Sequence, residues 1–174
     1  MTTPPLPPDL ENWIQRFRGP LVGFLASRCR SWAVAEELAM DTFAEAWLGR
    51  DRMHAAADDL DGVGVWLRGI ARNLLHAHLR QRQRGPRPLE HEVAAAPTPV
   101  ADDRLDALHA GFTALRPELQ EVLRMHYLES ASAREVAALL GVSPKAIENR
   151  LDLARRALRE SAQRHLRAAQ GVRT

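Results

Sequence analysis

The stretch REVAALLGVSPKAIENRL, residues 134–151, decides the fold. Arg134 to Leu140 is built of good helix formers and stops at Gly141, which can take the left-handed conformation that closes a helix. Ser143 and Pro144 open a second helix. Serine is the N-cap, and proline stands at the first helical position, where its missing N–H costs nothing. Just upstream, Ser132-x-x-Glu135 spells a capping box that starts the first helix. Ala137 falls at the close crossing of the two helices, and Val136, Leu140, Val142, Ile147 and Leu151 supply a small core. The pattern predicts a helix-turn-helix, whose second helix enters a DNA major groove. Plain helix packing is the alternative that these residues leave open.

The outward face of the second helix follows from its inward one. Ile147, Leu151, Ala154 and Leu158 point in at spacings of four, three and four, which turns Lys145, Asn149, Asp152 and Arg156 outward with Glu148 and Arg155 on the flanks. Ser143 and Arg150 complete the candidate DNA-binding set in this half. Asparagine can pair with adenine, and a carboxylate can accept from the cytosine amino group. Acids also give up phosphate attraction, so this face alone is expected to bind duplex DNA weakly.

Outward from this motif, the chain of 174 residues is one domain or two small ones. Aromatics are sparse, alanine, leucine and arginine abundant, and the expected fold class is all-α. The net charge of +2 is modest but segregated. Ser31 to Asp61 is acidic, Trp66 to Pro88 holds arginines and no acid, Glu90 to Asp106 is acidic again, and the last helix is basic. Such alternation suggests one surface for nucleic acid and another for a different partner. Cys29 is the sole cysteine, so no internal disulfide can form, and it reads as a buried, inert thiol. No apolar run reaches the roughly 18 residues of a membrane span, and the proline-rich start does not read as a signal peptide. A cytoplasmic protein, monomeric when free, is the expectation.

Two helical units joined by a flexible linker are expected: residues 1–84, a linker over 85–101, and 102–174. In the first unit, helix one spans about Leu10 to Arg30, kinked or divided at Gly19-Pro20. Helix two runs from Ser31 to about Arg50, and helix three from about Val65 to Arg84 after a loop. The linker, with four prolines and no amphipathic period, leaves the halves free to move independently. In the second unit, Asp102 to Leu115 is a helix with Leu105, Leu108 and Phe112 as its inner stripe. Pro117 begins the next, packing Leu119, Val122, Leu123 and Tyr127. The final helix runs from Pro144 to about Ala169.

Two stretches in order, SWAVAEELAMDTFAEAW (residues 31–47) followed by VWLRGIARNLLHAHLRQRQR (residues 65–84), resemble region two of the extracytoplasmic-function sigma factors of RNA polymerase, in the sigma-70 family. ALRPELQEVLRMHYLESASAREVAALLGVSPKAIENRLDLARRALR (residues 114–159) resembles region four of the same proteins. The resemblance implies a sigma factor, not an enzyme, that binds core RNA polymerase and directs it to promoter DNA; it implies no catalytic residues, cofactor or metal. It assigns polymerase binding to Glu36, Glu37, Leu38, Asp41 and Phe43 on helix two, where Glu37 and Asp41 stand one turn apart in an acidic strip. It assigns the minus-ten element to helix three, where Trp66, Arg68, Arg72, Asn73, Arg80, Arg82 and Arg84 offer the cations and aromatic surface that hold single-stranded DNA, with core filling the favoured alternative for Trp66. The minus-thirty-five element falls to the helix-turn-helix, and an anti-sigma factor is a further partner.

Some positions depart from the family's pattern. Met40 stands where glutamine is usual, Ala77 replaces an acid, Glu148 replaces a common basic residue, and Leu153 a common arginine. Two other readings therefore stay open: a helix-turn-helix regulator that is not a sigma factor, and a degenerate sigma that only binds polymerase. The first leaves the acidic second helix and the arginine-rich third unexplained. An enzyme fits worst, because His76 and His78 face different ways and no phosphate loop or paired carboxylates occur.

Overall fold

The computed structural model describes residues 7–84 and 103–171, and the segment expected to be a linker lies outside them. Among the described residues, seven α-helices carry the fold: α1 (Pro8–Cys29), α2 (Trp32–Leu48), α3 (Leu60–Arg84), α4 (Asp103–Thr113), α5 (Pro117–Leu123), α6 (Ala133–Leu140) and α7 (Pro144–Gly171). A 3-10 turn (Arg50–Arg52) follows α2, and a π-helical turn (Arg124–Leu128) follows α5.

The local signals explain most boundaries. The Ser31 side chain caps α2 by accepting from the Val34 amide at 3.4 Å. The capping box of α6 is complete: the Glu135 amide donates to Ser132 Oγ at 3.2 Å, and the Ser132 amide donates to Glu135 at 2.9 Å. Gly141 closes α6 at φ 67°, with the Val142 amide returning to the Ala137 carbonyl at 3.0 Å.

Three boundaries differ from the sequence expectation. Helix α1 is not divided at Gly19-Pro20. Pro20 and the residues from Leu21 to Ala26 are all buried, and this packing holds the helix across the missing amide. Helix α3 starts at Leu60 rather than Val65, because the Asp59 carboxylate accepts from the Gly62 amide at 3.2 Å and caps an earlier start. The helix begun at Pro117 widens into the π turn, and this exposes Tyr127, which was expected to pack inward.

In the first half, Trp13, Phe17, Leu21, Leu25, Phe43, Val63, Leu67 and Ala71 make the centre of the core. Trp13 lies edge-on to Trp47 at 6.4 Å and to Trp66 at 5.9 Å, and its indole N–H donates to the Ala57 carbonyl at 3.1 Å. Cys29 is buried, as expected, and its thiol reaches the Ser31 carbonyl at 3.1 Å. In the second half, α4 packs along α7 through small residues. A Cβ on Gly111 would stand 3.0 Å from the Ala162 amide nitrogen. The buried positions on α4 are thus Ala107 and Gly111, while Leu105 and Leu108, expected inside, face outward.

The halves are not independent in this structure. Buried residues of α1, α2, α3, α5, α6 and α7 form one continuous apolar cluster. Helix α3 packs on α6, and α1 packs on α5, α6 and the π turn. The physical reason is that α6 and the π turn carry apolar residues beyond those needed by the helix-turn-helix: Met125, Ala138 and Leu139 are all buried.

At one edge of this contact burial raises the Glu129 carboxyl above its ordinary value of 4.5, with Arg18 opposing and Glu36 adding to the rise. A raised folded-state pKa means that the folded protein holds this proton more tightly than the unfolded chain. The stability it contributes is therefore full below the unfolded value and is lost as pH rises through the folded one. Glu129→Gln is expected to flatten thermal stability against pH just above the ordinary carboxylate range. An unchanged pH profile would show that Glu129 is as solvated in the fold as in the unfolded chain.

Candidate polymerase and nucleic-acid interfaces

Helix α2 presents two faces. Ala35, Leu38, Ala39, Thr42, Phe43 and Ala46 are buried, with Leu38 at 7% and Phe43 at 1% exposure. Leu38 and Phe43, expected to meet polymerase, are core residues in this structure. Their neighbours on that face are small, so the two large side chains fill the space against α1 and α3. The opposite face carries Glu37, Met40, Asp41, Ala44 and Leu48, all exposed, with Met40 at 49% and Leu48 at 73%. Glu36 is half-buried and pairs with Arg18 at 2.9 Å. Arg18, Glu36, Glu37, Met40 and Asp41 line a shallow depression of about 460 Å³. The face is acidic with an apolar seam, which is what a basic helical partner would need. Met40 and Leu48 belong to it, and their outward position could have been found by marking the small residues as the buried stripe.

On α3 the expected nucleic-acid residues separate into two groups. Arg72, Asn73, Arg80, Arg82 and Arg84 are exposed. Trp66 is half-buried: one edge meets Trp13, and it also lines a cavity of about 330 Å³ with Glu45, Gly49, Arg52, Ile70, Asn73 and Leu74. An indole wall, an amide and a guanidinium around a cavity of this size suit an unstacked base. Arg52 was not foreseen, because the 3-10 turn that brings it beside α3 leaves little trace in the sequence. Arg68 stands apart. It is half-buried, and its guanidinium donates to the Leu140 carbonyl at the end of α6.

Two of the three acids on α7, Glu148 and Asp152, each hold a cation of their own helix. Lys145 Nζ lies 3.2 Å from Glu148, and Arg155 lies 2.9 Å from Asp152. Arg155 Nε also donates to the Tyr127 hydroxyl at 2.6 Å, which turns this arginine away from the Lys145–Asn149 face. Ser143 Oγ accepts from the Ala146 amide at 3.2 Å and so serves as the N-cap. Lys145, Glu148, Asn149, Asp152 and Arg156 are exposed, and Arg150 is half-buried. The pairs are solvated and contribute little stability. Their effect is to lower the positive charge on the face and to leave Asn149 among fixed neighbours. Glu148→Lys removes one pair and adds one free cation. It is expected to raise affinity for every duplex, to steepen the salt dependence by about one unit of slope, and to reduce discrimination between matched and scrambled sites. An unchanged slope across several salt concentrations would place Glu148 outside the DNA contact.

Leu105, Leu108, Phe112, Tyr127, Leu128 and Leu158 line an apolar groove of about 950 Å³ between α4, the π turn and α7, with Arg124, Arg155 and Arg159 on its walls. Leu105 and Leu128 are 57% and 66% exposed there. Among the described residues, no group of three or more His, Cys, Asp or Glu side chains could hold a metal ion, and no helix is long and apolar enough to cross a membrane.

One half sets an acidic-apolar helix beside an arginine-rich helix, and the other carries a helix-turn-helix. The chain belongs to the sigma-70 family of RNA polymerase sigma factors. The family description for sigma-70 region 2 matches residues 13–85, and that for sigma-70 region 4 matches residues 105–158. The chain is 34% identical over 145 residues to the probable RNA polymerase sigma factor RfaY of Xanthomonas campestris, a match covering 75% of this chain and 34% of that protein. It therefore spans about a third of that relative's length. It is 29% identical over 155 residues to the RNA polymerase sigma factor CarQ of Myxococcus xanthus, covering 86% of this chain and 87% of that one. Among solved structures it resembles the sigma factor RpoE in complex with the anti-sigma factor NepR from Bartonella quintana, at 23% identity and a TM-score of 0.49, over 89% of this chain and 97% of that one.

Proposed function

We propose that the protein is an alternative sigma factor of the extracytoplasmic-function group, which binds core RNA polymerase and selects promoters for transcription initiation. The observation that carries this reading is the separation of charge on one half: α2 keeps an exposed acidic face, while exposed arginines line the length of α3. A stand-alone repressor needs no such acidic face. In this account Glu37, Met40, Asp41 and Leu48 meet polymerase, and Leu38 and Phe43 act only by holding α2 straight behind them. Arg72, Arg80, Arg82 and Arg84 hold the backbone of the melted minus-ten strand, and the cavity of Trp66, Arg52 and Asn73 takes an unstacked base. The exposed α7 face, centred on Lys145 and Asn149, reads the minus-thirty-five element. Promoter opening then follows from binding energy alone, since single strands are held where the duplex cannot fit.

The apolar groove of the second half is assigned to a protein partner, either polymerase or an anti-sigma factor that competes with it. The test is gel filtration with core polymerase. Co-elution of the wild type is expected. A protein that elutes apart from polymerase yet binds a duplex as a dimer is instead a helix-turn-helix regulator.

The α3 cavity gives a further prediction. Asn73→Ala is expected to weaken binding of a single-stranded minus-ten oligonucleotide by the polymerase complex by about 0.5–1.5 kcal/mol, with duplex minus-thirty-five binding unchanged. Equal losses for all sequences at the minus-ten positions would reduce Asn73 to a backbone contact.

A further inference from the structure

We infer that Leu153 of α7 reads a thymine of the minus-thirty-five element through its C5-methyl group, beside the base read by Asn149. The inference deepens the reading of α7 as the helix that enters the promoter's major groove, and rests on it.

The first observation is an apolar side chain left in solvent on that helix. Leu153 is 40% exposed. It follows Asn149 by four residues, so the two stand one above the other on the same side of α7, about 6 Å apart along its axis. That is less than two base-pair steps of about 3.4 Å. A side chain so placed meets a base next to, or one beyond, the base that Asn149 meets.

The second observation is how the charges divide. Glu148 is paired with Lys145, and Asp152 with Arg155, which the Tyr127 hydroxyl also holds. At about 100° per residue, Glu148 and Arg155 fall on one flank of the recognition face and Leu153 on the other. The flank of Leu153 holds neither pair. A cation at this position would attract every duplex alike, whereas leucine gains only where an apolar group faces it. Thymine is the base whose major-groove edge carries a methyl group. Leucine here exchanges general affinity for selectivity.

The third observation is the surface around it. Leu153 is not a lone exposed leucine: with Leu115, Leu119 and Ala157 it lines a cavity of about 300 Å³ between the start of α5 and the middle of α7. Arg116, Arg164 and Glu160 also line it, so the balance of charge around this apolar wall is positive. Such a surface suits the edge of a DNA strand, where a thymine methyl and a backbone phosphate lie close together.

The experiment uses the full chain bound to core polymerase, and a duplex that this complex selects from a random pool. Each thymine of the minus-thirty-five element is replaced singly by deoxyuridine, which removes the methyl and keeps the base pair. One position is expected to lose about fourfold in affinity, the effect of one buried methyl. Leu153→Ala keeps a good helix former at an exposed site. It is expected to lose a similar factor on the unmodified duplex, and to bind the thymine and uracil duplexes equally at that position. Leu153→Arg is expected to bind all duplexes more tightly, to steepen the salt dependence by about one unit of slope, and to lose the same thymine preference. A selected element without thymine overturns the inference, as does a uracil scan without effect on the wild type, or one whose effect survives in Leu153→Ala. In each case Asn149→Ala separates the two readings: if it still reduces discrimination between matched and scrambled duplexes, α7 reads DNA without Leu153. Weaker binding of Leu153→Ala to core polymerase in the absence of DNA also overturns the inference, by setting the leucine against protein. Selection that enriches no sequence overturns both readings.

Discussion

Replacing Phe43 by alanine is expected to lower stability by about 3–5 kcal/mol, the largest effect of any single truncation on α2. The ring is 1% exposed and fills the space between α2 and the first-half core. The neighbours on its own helix face are Ala39, Thr42 and Ala46, too small to close the cavity left behind. The loss would appear as a fall in midpoint on chemical denaturation, with polymerase affinity reduced only in proportion to the unfolded fraction. If Phe43→Ala weakened polymerase binding strongly at unchanged stability, the side chain would have to leave the core in the complex, and the assignment of α2's two faces would fail.

The converse substitution lies on the opposite face. Glu37→Arg combined with Asp41→Arg is expected to reduce affinity for core polymerase by about 2–3 kcal/mol, on the order of a hundredfold. Both side chains are exposed, so folding stability should stay within about 0.5 kcal/mol of the wild type. Reversal is more informative than truncation, because it sets like charges against the basic partner that the proposed function places on this face. The loss should grow smaller at high salt, as expected for charges at a solvated interface. Unchanged affinity would mean that polymerase is held elsewhere, with the apolar groove of the second half as the next surface to probe.

The two substitutions together bear on what could be read from the chain. Helix-turn-helix punctuation was legible at residue level, because Ser132, Glu135, Gly141, Ser143 and Pro144 act through local backbone geometry that tertiary packing does not alter. Most of the arginine row of α3 was legible for a similar reason, because a run of like charge without acids favours solvent; Arg68, half-buried against the end of α6, is the exception. Helix faces were harder. On α2 and α4 the inner stripe is made largely of alanine, glycine and threonine, which allow close packing but carry weak hydrophobic signal. The apolar spacing of α2 groups Phe43 with Leu38 and Ala46, while the family resemblance assigns it to polymerase, and the spacing on α4 puts Leu105 and Leu108 inside; the structure buries Phe43 and exposes the two leucines. The contact between the halves left only three glycines, Gly19, Gly23 and Gly64, as a trace, and nothing local distinguishes a glycine required by a neighbouring helix from one that simply weakens its own. Glu148 and Asp152 on α7 were conspicuous in the sequence, but their pairing with Lys145 and Arg155 depends on side-chain directions that spacing alone leaves open.

These readings converge on initiation at a chosen promoter. Run-off transcription from the DNA upstream of the protein's own coding sequence, with core polymerase and with or without the protein, tests that most directly. A discrete transcript that depends on the protein, and that is lost with Glu37→Arg and Asp41→Arg, is the predicted result. Stable binding to core polymerase with no transcript from any promoter-length template would contradict it, and would make the chain a sigma-like protein that occupies polymerase without directing it.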